Sequence, residues 1–155
     1  MPKSSFPIAF ISFWTERPKS RVWLALPISY MIFLQFLTGL PKAETLRQFN
    51  ANDLLLRFSE ELFDYPYWIQ DLSHLPLFLL LAWLWSWFLG PAHNLKSAFY
   101  NKALLLSLSY GFANELAQAF IPQRFPSFGD IMMNTIGVAI GILLHAQLCK
   151  RFPKN

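Results

Sequence analysis

Charge is what this sequence has least of. Only 14% of its 155 residues are Asp, Glu, Lys or Arg, against about 25% in an ordinary soluble domain. A chain this short exposes a large share of its area when folded alone in water, so polar residues this sparse exclude a water-soluble globule. Cysteine is almost absent as well: Cys149 stands alone, which excludes a disulfide scaffold. There is no low-complexity tract and no internal repeat. What is abundant is apolar surface, 54% hydrophobic and 17% aromatic residues, and that excludes disorder. A mean hydropathy of +0.32 completes the description of a membrane protein.

Four stretches approach the roughly 20 residues a membrane-spanning helix needs. They are VWLALPISYMIFLQFLTGL (22–40), LSHLPLFLLLAWLWSWFLG (72–90), ALLLSLSYGFANELAQAFI (103–121) and IMMNTIGVAIGILLHAQLC (131–149). The first two contain no Asp, Glu, Lys or Arg and are apolar on all sides, as a helix surrounded by lipid or protein must be. The expected fold is all-α, an integral membrane bundle of four transmembrane helices over residues 22–149. Residues 1–21 form an interfacial N-terminal segment, because SFPIAFISFW is too short to cross, is interrupted by Pro7 and lacks a cleavage site. The connection 41–71 carries RQFNANDLLLRFSEELF, whose spacing of apolar and acidic residues predicts an amphipathic helix lying on the membrane.

The basic residues set the orientation. Lys3, Arg17, Lys19, Arg21, Lys96, Lys102, Lys150, Arg151 and Lys154 fall on one side, while only Lys42, Arg47, Arg57 and Arg124 fall on the other. Positive residues stay inside, so both termini, including the tail 150–155, are expected in the cytoplasm. Seven of the nine acids, among them Asp71 and Asp130, lie on or border the outer side. The net charge of +4 therefore describes a cytoplasmic surplus and implies no nucleic acid. Trp85 and Trp87 read as an aromatic belt at the inner face, and His145 as an interfacial residue.

Once the helices are oriented, the costly polar residues gather at the outer side. Asp71 and His74 open the second span; Glu115 and Gln118 share a face near the end of the third; Arg124 occupies the turn IPQRFPSFGD; Asp130 and Asn134 begin the fourth. Several have structural roles available. Asp130 is expected to N-cap the fourth helix, Asp71 or Ser73 the second, and Gln118 and Asn134 to bond between helices. Glu115 is different, because a carboxylate inside a span costs a few kcal/mol and needs a partner. Arg124 is the expected one. With three carboxylates against Arg124 and a titratable His74, one of three things follows. An acid holds a proton, a cation or positively charged ligand group enters, or the outermost acids are solvated. Gly137 and Gly141 form a small-xxx-small seam for close helix packing.

The segment ELAQAFIPQRFPSFGDIMMNTIGVAIG, with Glu115, Gln118, Pro122, Arg124, Asp130, Asn134, Gly137 and Gly141 in their spacings, together with DLSH from Asp71 to His74, resembles the VanZ-like family of small multi-pass bacterial membrane proteins. The resemblance implies a four-helix protein of the bacterial cell membrane and envelope, related to a protein of glycopeptide (teicoplanin) resistance. It supplies no reaction.

The expected function is a pocket open to the outer leaflet, in which Asp71, His74, Glu115, Gln118, Arg124, Asp130 and Asn134 bind a lipid headgroup or a lipid-linked envelope precursor. Membrane lipids are the expected partners. A second reading is an enzyme on a lipid-linked substrate, with His74 or Glu115 as base and Arg124 stabilising a phosphate or oxyanion. A third is a scaffold for an envelope partner. There is no nucleophile motif and no His pair at metal-ligand spacing, so neither a metal nor a cofactor is expected.

Overall fold

The computed structural model describes residues 6–39, 72–92, 100–118, 120–121 and 127–152, and every element among them is helical. Helix α1 covers Phe6–Thr15, a short 3-10 segment covers Arg21–Leu24, and four longer helices follow. These are α2 (Ala25–Thr38), α3 (His74–Leu89), α4 (Lys102–Gln118) and α5 (Phe128–Arg151). Helices α2 to α5 fall on the four apolar stretches. The amphipathic stretch within 41–71, Asp71, Arg124 and the tail beyond 152 lie outside the described residues.

The helix ends follow from local chemistry. Pro27 has no N–H to offer the carbonyl four residues back, and the turn before it is wound as 3-10 rather than α. Gly39 and Gly90 end α2 and α3 with φ of +107° and +112°, backbone that side-chain-bearing residues avoid. At the start of α5 the cap is Ser127, whose hydroxyl accepts from the Asp130 N–H at 3.3 Å. This corrects the expectation that Asp130 caps the helix: it sits one turn inside, and its carboxylate is turned elsewhere. Ser73 precedes α3 without making a side-chain capping bond, and Pro76 is accommodated in the first turn. Pro7 likewise falls in the first turn of α1, so it does not interrupt the helix.

Helix α3 is the axis of the molecule. It packs most extensively on α5 and also against α4 and α2. The α3–α5 seam is close because of two glycines: a Cβ on Gly137 would strike the Leu75 carbonyl, and one on Gly141 the Leu79 carbonyl. Around this seam Leu34, Phe78, Leu81, Ala82, Trp85, Val138 and Ile142 form the buried apolar core. Tyr30 donates to the Leu77 carbonyl at 3.1 Å and Tyr110 to the Met31 carbonyl at 2.6 Å, tying α2 to α3 and α4 to α2.

Helix α1 lies across one end of the bundle, where its last carbonyls meet donors from α3 and α5. Trp87 Nε1 donates to Phe13 O at 2.8 Å, His145 Nε2 lies 3.0 Å from Trp14 O, and Cys149 Sγ is 3.6 Å from Thr15 O. Helix carbonyls left over at a C-terminus are thereby satisfied by neighbouring helices. Two expectations are corrected here. His145 is not interfacial but buried, its Nδ1 2.9 Å from Ser86 Oγ. Trp85 and Trp87 are not belt residues facing headgroups: both are buried, and the Trp87 ring lies 5.2–5.7 Å from those of Phe13, Trp14 and Trp23, tilted or edge-on to each.

The surface is the reverse of a soluble protein's. Phe36 and Phe112 are 65% and 64% exposed, as are large parts of Ile32, Phe33 and Leu105, while Glu115, Gln118, Asn134 and His145 are buried. Among the described residues two segments are long and apolar enough to cross a membrane, Arg21–Thr38 with 18 residues and Phe128–Arg151 with 24. At 1.5 Å per residue the latter reaches about 36 Å, beyond the ~30 Å hydrocarbon layer. Helix α3, with 16 residues, is apolar but shorter. The chain is a membrane protein.

Two outcomes test this packing. Gly141→Val, which drives a branched side chain into the Leu79 carbonyl, should lower stability by about 1–3 kcal/mol, read as a fall in unfolding temperature in detergent, whereas the exposed Thr135→Ala should leave it nearly unchanged. Trp87→Phe removes one bond holding α1, and Cys149 should then react with maleimide roughly fivefold faster, the factor that ~1 kcal/mol gives.

Candidate functional site

At the opposite end of the bundle from α1, the first turns of α3 and α5 meet the last turns of α4 and α2. His74 is the first residue of α3, Glu115 and Gln118 close α4, and Asp130 and Asn134 lie in the first two turns of α5. All five are buried, at 7%, 2%, 2%, 8% and 3% exposure in that order. Parallel α3 and α5, with α4 antiparallel to both, bring together residues that are 15 to 60 positions apart.

The centre of the site is Asn134. Its Nδ2 donates to Glu115 Oε1 at 3.2 Å, which turns its Oδ1 toward His74 Nδ1 at 3.1 Å. An amide oxygen can only accept, so His74 carries a proton on Nδ1. The other ring nitrogen, Nε2, faces Asp130 Oδ1 at 3.4 Å, and Glu115 Oε1 is 3.9 Å from Nδ1. Phe78 stacks against the imidazole, with ring centroids 6.3 Å apart and planes at 5°. Beside this set, Thr38 of α2 donates to Asn114 Oδ1 at 2.8 Å, so α2 also reaches the polar end. The structure thus brings His74, Glu115, Asp130 and Asn134 into one interior region. Gln118 lies one turn beyond Glu115 on the same face of α4. Gly137 and Gly141 serve the seam that holds α5 against α3.

The family model described as VanZ/LLP1 matches residues 12–149. The chain belongs to the VanZ/LLP1 family. The VanZ match spans α2 to α5 and every residue of the cluster, and at family level it ties the chain to envelope proteins linked with glycopeptide resistance. No curated protein and no solved structure matches the chain.

Two features of the cluster are not carried by sequence spacing alone. Asn114, buried at 1%, was not among the expected residues; its spacing of four from Gln118 was the available signal. The second feature is ligand geometry. Sequence spacing offers no pair of histidines, yet His74, Glu115 and Asp130 each present one donor atom, all within 4.8 Å of one another. Such a set can share a proton between imidazole and carboxylate, or coordinate a cation.

Asn134 serves both His74 and Glu115. Asn134→Leu, which leaves both without that bond in a buried place, should cost about 1–3 kcal/mol or more, and unfolding in detergent monitored by circular dichroism measures it.

Proposed function

We propose that this VanZ protein is a four-span protein of the bacterial cytoplasmic membrane, with both termini inside, that binds the polar headgroup of a lipid or a lipid-linked envelope precursor at its outer end. One observation carries this reading: four ionisable or amide side chains from three helices converge inside a bundle whose outer surface is apolar. A buried ionisable set of this kind is costly in a membrane, and sites of substrate or ion contact are where such sets occur. Helices α3 and α4 have 16 and 17 residues, against 24 in α5. The distribution of Lys and Arg supports the orientation. Asp71 and Arg124 stand at the same end in the sequence, and Arg124 is the group suited to grip a phosphate or carboxylate. Altered surface lipids or cell-wall intermediates would then connect the site with glycopeptide resistance.

The His74–Asp130 approach supports a second reading. An imidazole oriented by Asn134 and facing a carboxylate is equipped to move a proton, as hydrolysis or transfer on a lipid-linked substrate requires.

Expression of the chain in a glycopeptide-susceptible bacterium should change its membrane lipid profile and its tolerance of teicoplanin. Glu115→Gln and Arg124→Ala should accumulate in the membrane at the normal level and lose both effects. If both variants keep them, headgroup binding at this cluster is wrong. If neither accumulates, the polar set serves the scaffold rather than a ligand.

A further inference from the structure

We infer that His74, Glu115 and Asp130 form a binding site for one divalent transition-metal ion. The ion site stands on the coordinates of these three side chains; its use in gripping a headgroup phosphate or carboxylate rests on the function proposed above.

The donor set comes first. One imidazole nitrogen and two carboxylate oxygens, delivered by α3, α4 and α5, lie within 4.8 Å of one another and are buried. In a tetrahedral site with bonds of about 2.0–2.1 Å, neighbouring donor atoms stand about 3.3 Å apart. His74 Nε2 and Asp130 Oδ1 are 3.4 Å apart, the length of such an edge. Glu115 approaches from the side of the ring's other nitrogen, 3.9 Å from Nδ1, and supplies the third donor within the 4.8 Å span of the set.

The surroundings repeat the logic of known metal sites. A ligating histidine donates its second N–H to an oxygen that fixes tautomer and ring orientation, and that oxygen is itself held. Here His74 Nδ1 donates to Asn134 Oδ1, and Asn134 is anchored by Glu115. That arrangement leaves Nε2 as the ring nitrogen that faces Asp130.

A second observation comes from the next turn of α4. Gln118, buried one turn beyond Glu115 on the same face of α4, has a side-chain Nε2 without a hydrogen-bond partner among the described residues. A buried amide donor is costly to leave unmet. An anion or water carried by the ion would satisfy it. Three protein donors leave at least one coordination position open, as sites that work on a substrate do. One nitrogen with two oxygens suits zinc or manganese better than calcium, which takes six to eight oxygens.

The test uses the full chain, purified in detergent, stripped with chelator and titrated with Zn²⁺ alone. One ion should bind per chain. His74→Gln and Asp130→Asn should each weaken binding at least about tenfold, while His93→Gln, a histidine outside the described residues, should leave it unchanged. Failure to bind, or equal binding by His74→Gln, overturns the site. Because those variants depend on folding, X-ray absorption of the zinc-loaded wild-type chain supplies a second readout. Its spectrum should contain scattering from one imidazole among oxygen neighbours, and a spectrum without imidazole also overturns the site. Retention of the chain on phosphatidylglycerol vesicles, compared with phosphatidylcholine, should then fall on adding EDTA. Zinc binding with EDTA-insensitive retention supports the ion site and sinks its proposed role with headgroups.

Discussion

A carboxylate held inside an apolar bundle has few ways to exist, and Glu115 is that group here. Its desolvation must be offset by donors placed before it arrives, because neither lipid nor a packed core supplies any. Asn134 is such a donor, and it can serve only if α5 lies close to α4 and in one register. Its remaining oxygen then dictates which nitrogen of His74 carries the proton, and so which face of that ring meets Asp130. The tautomer of His74 and the register of α5 on α4 are thus tied to one buried carboxyl group.

The rest of the architecture serves that alignment. Gly137 and Gly141 let the α5 backbone settle on α3 at a distance that any side chain would prevent. The same seam sets the heights of His74 and Asn134 relative to one another, since both lie within two turns of it. Dispersion packing along α3 and α5 is non-directional; the hydrogen bonds at the two ends select one arrangement among those that packing permits. A bundle with an apolar exterior has little else to choose its register, because lipid tails solvate the helices as well as other helices do.

How much of this was legible in the sequence depends on the range of the interactions involved. Helix positions were legible because apolar runs of this length are a local property, and α2 to α5 fall on those runs. The members of the polar cluster were legible too, since a charged or amide residue within such a run stands out. Roles that depend on a neighbour's exact height were not. Asp130 had the right chemistry for a cap, but Ser127, three residues earlier, took that place and left the carboxylate to face His74. Trp85, Trp87 and His145 sat where interfacial residues usually do, and nothing local revealed that α1 folds over them. Metal-ligand spacing was silent for the same reason: the three donors belong to three helices, and no short motif contains two of them.

The clasp between α1 and the far ends of α3 and α5 sets an order of assembly. During synthesis the first helix emerges long before Trp87, His145 and Cys149 exist, and until they arrive its final carbonyls have only water or headgroups to bond. Helix α1 therefore gains its full set of partners only once α5 is in place. Completion of the bundle is the closure of α5 onto α1, and a chain arrested before α5 would lack the His145 and Cys149 contacts while keeping the Trp87 bond to Phe6–Thr15.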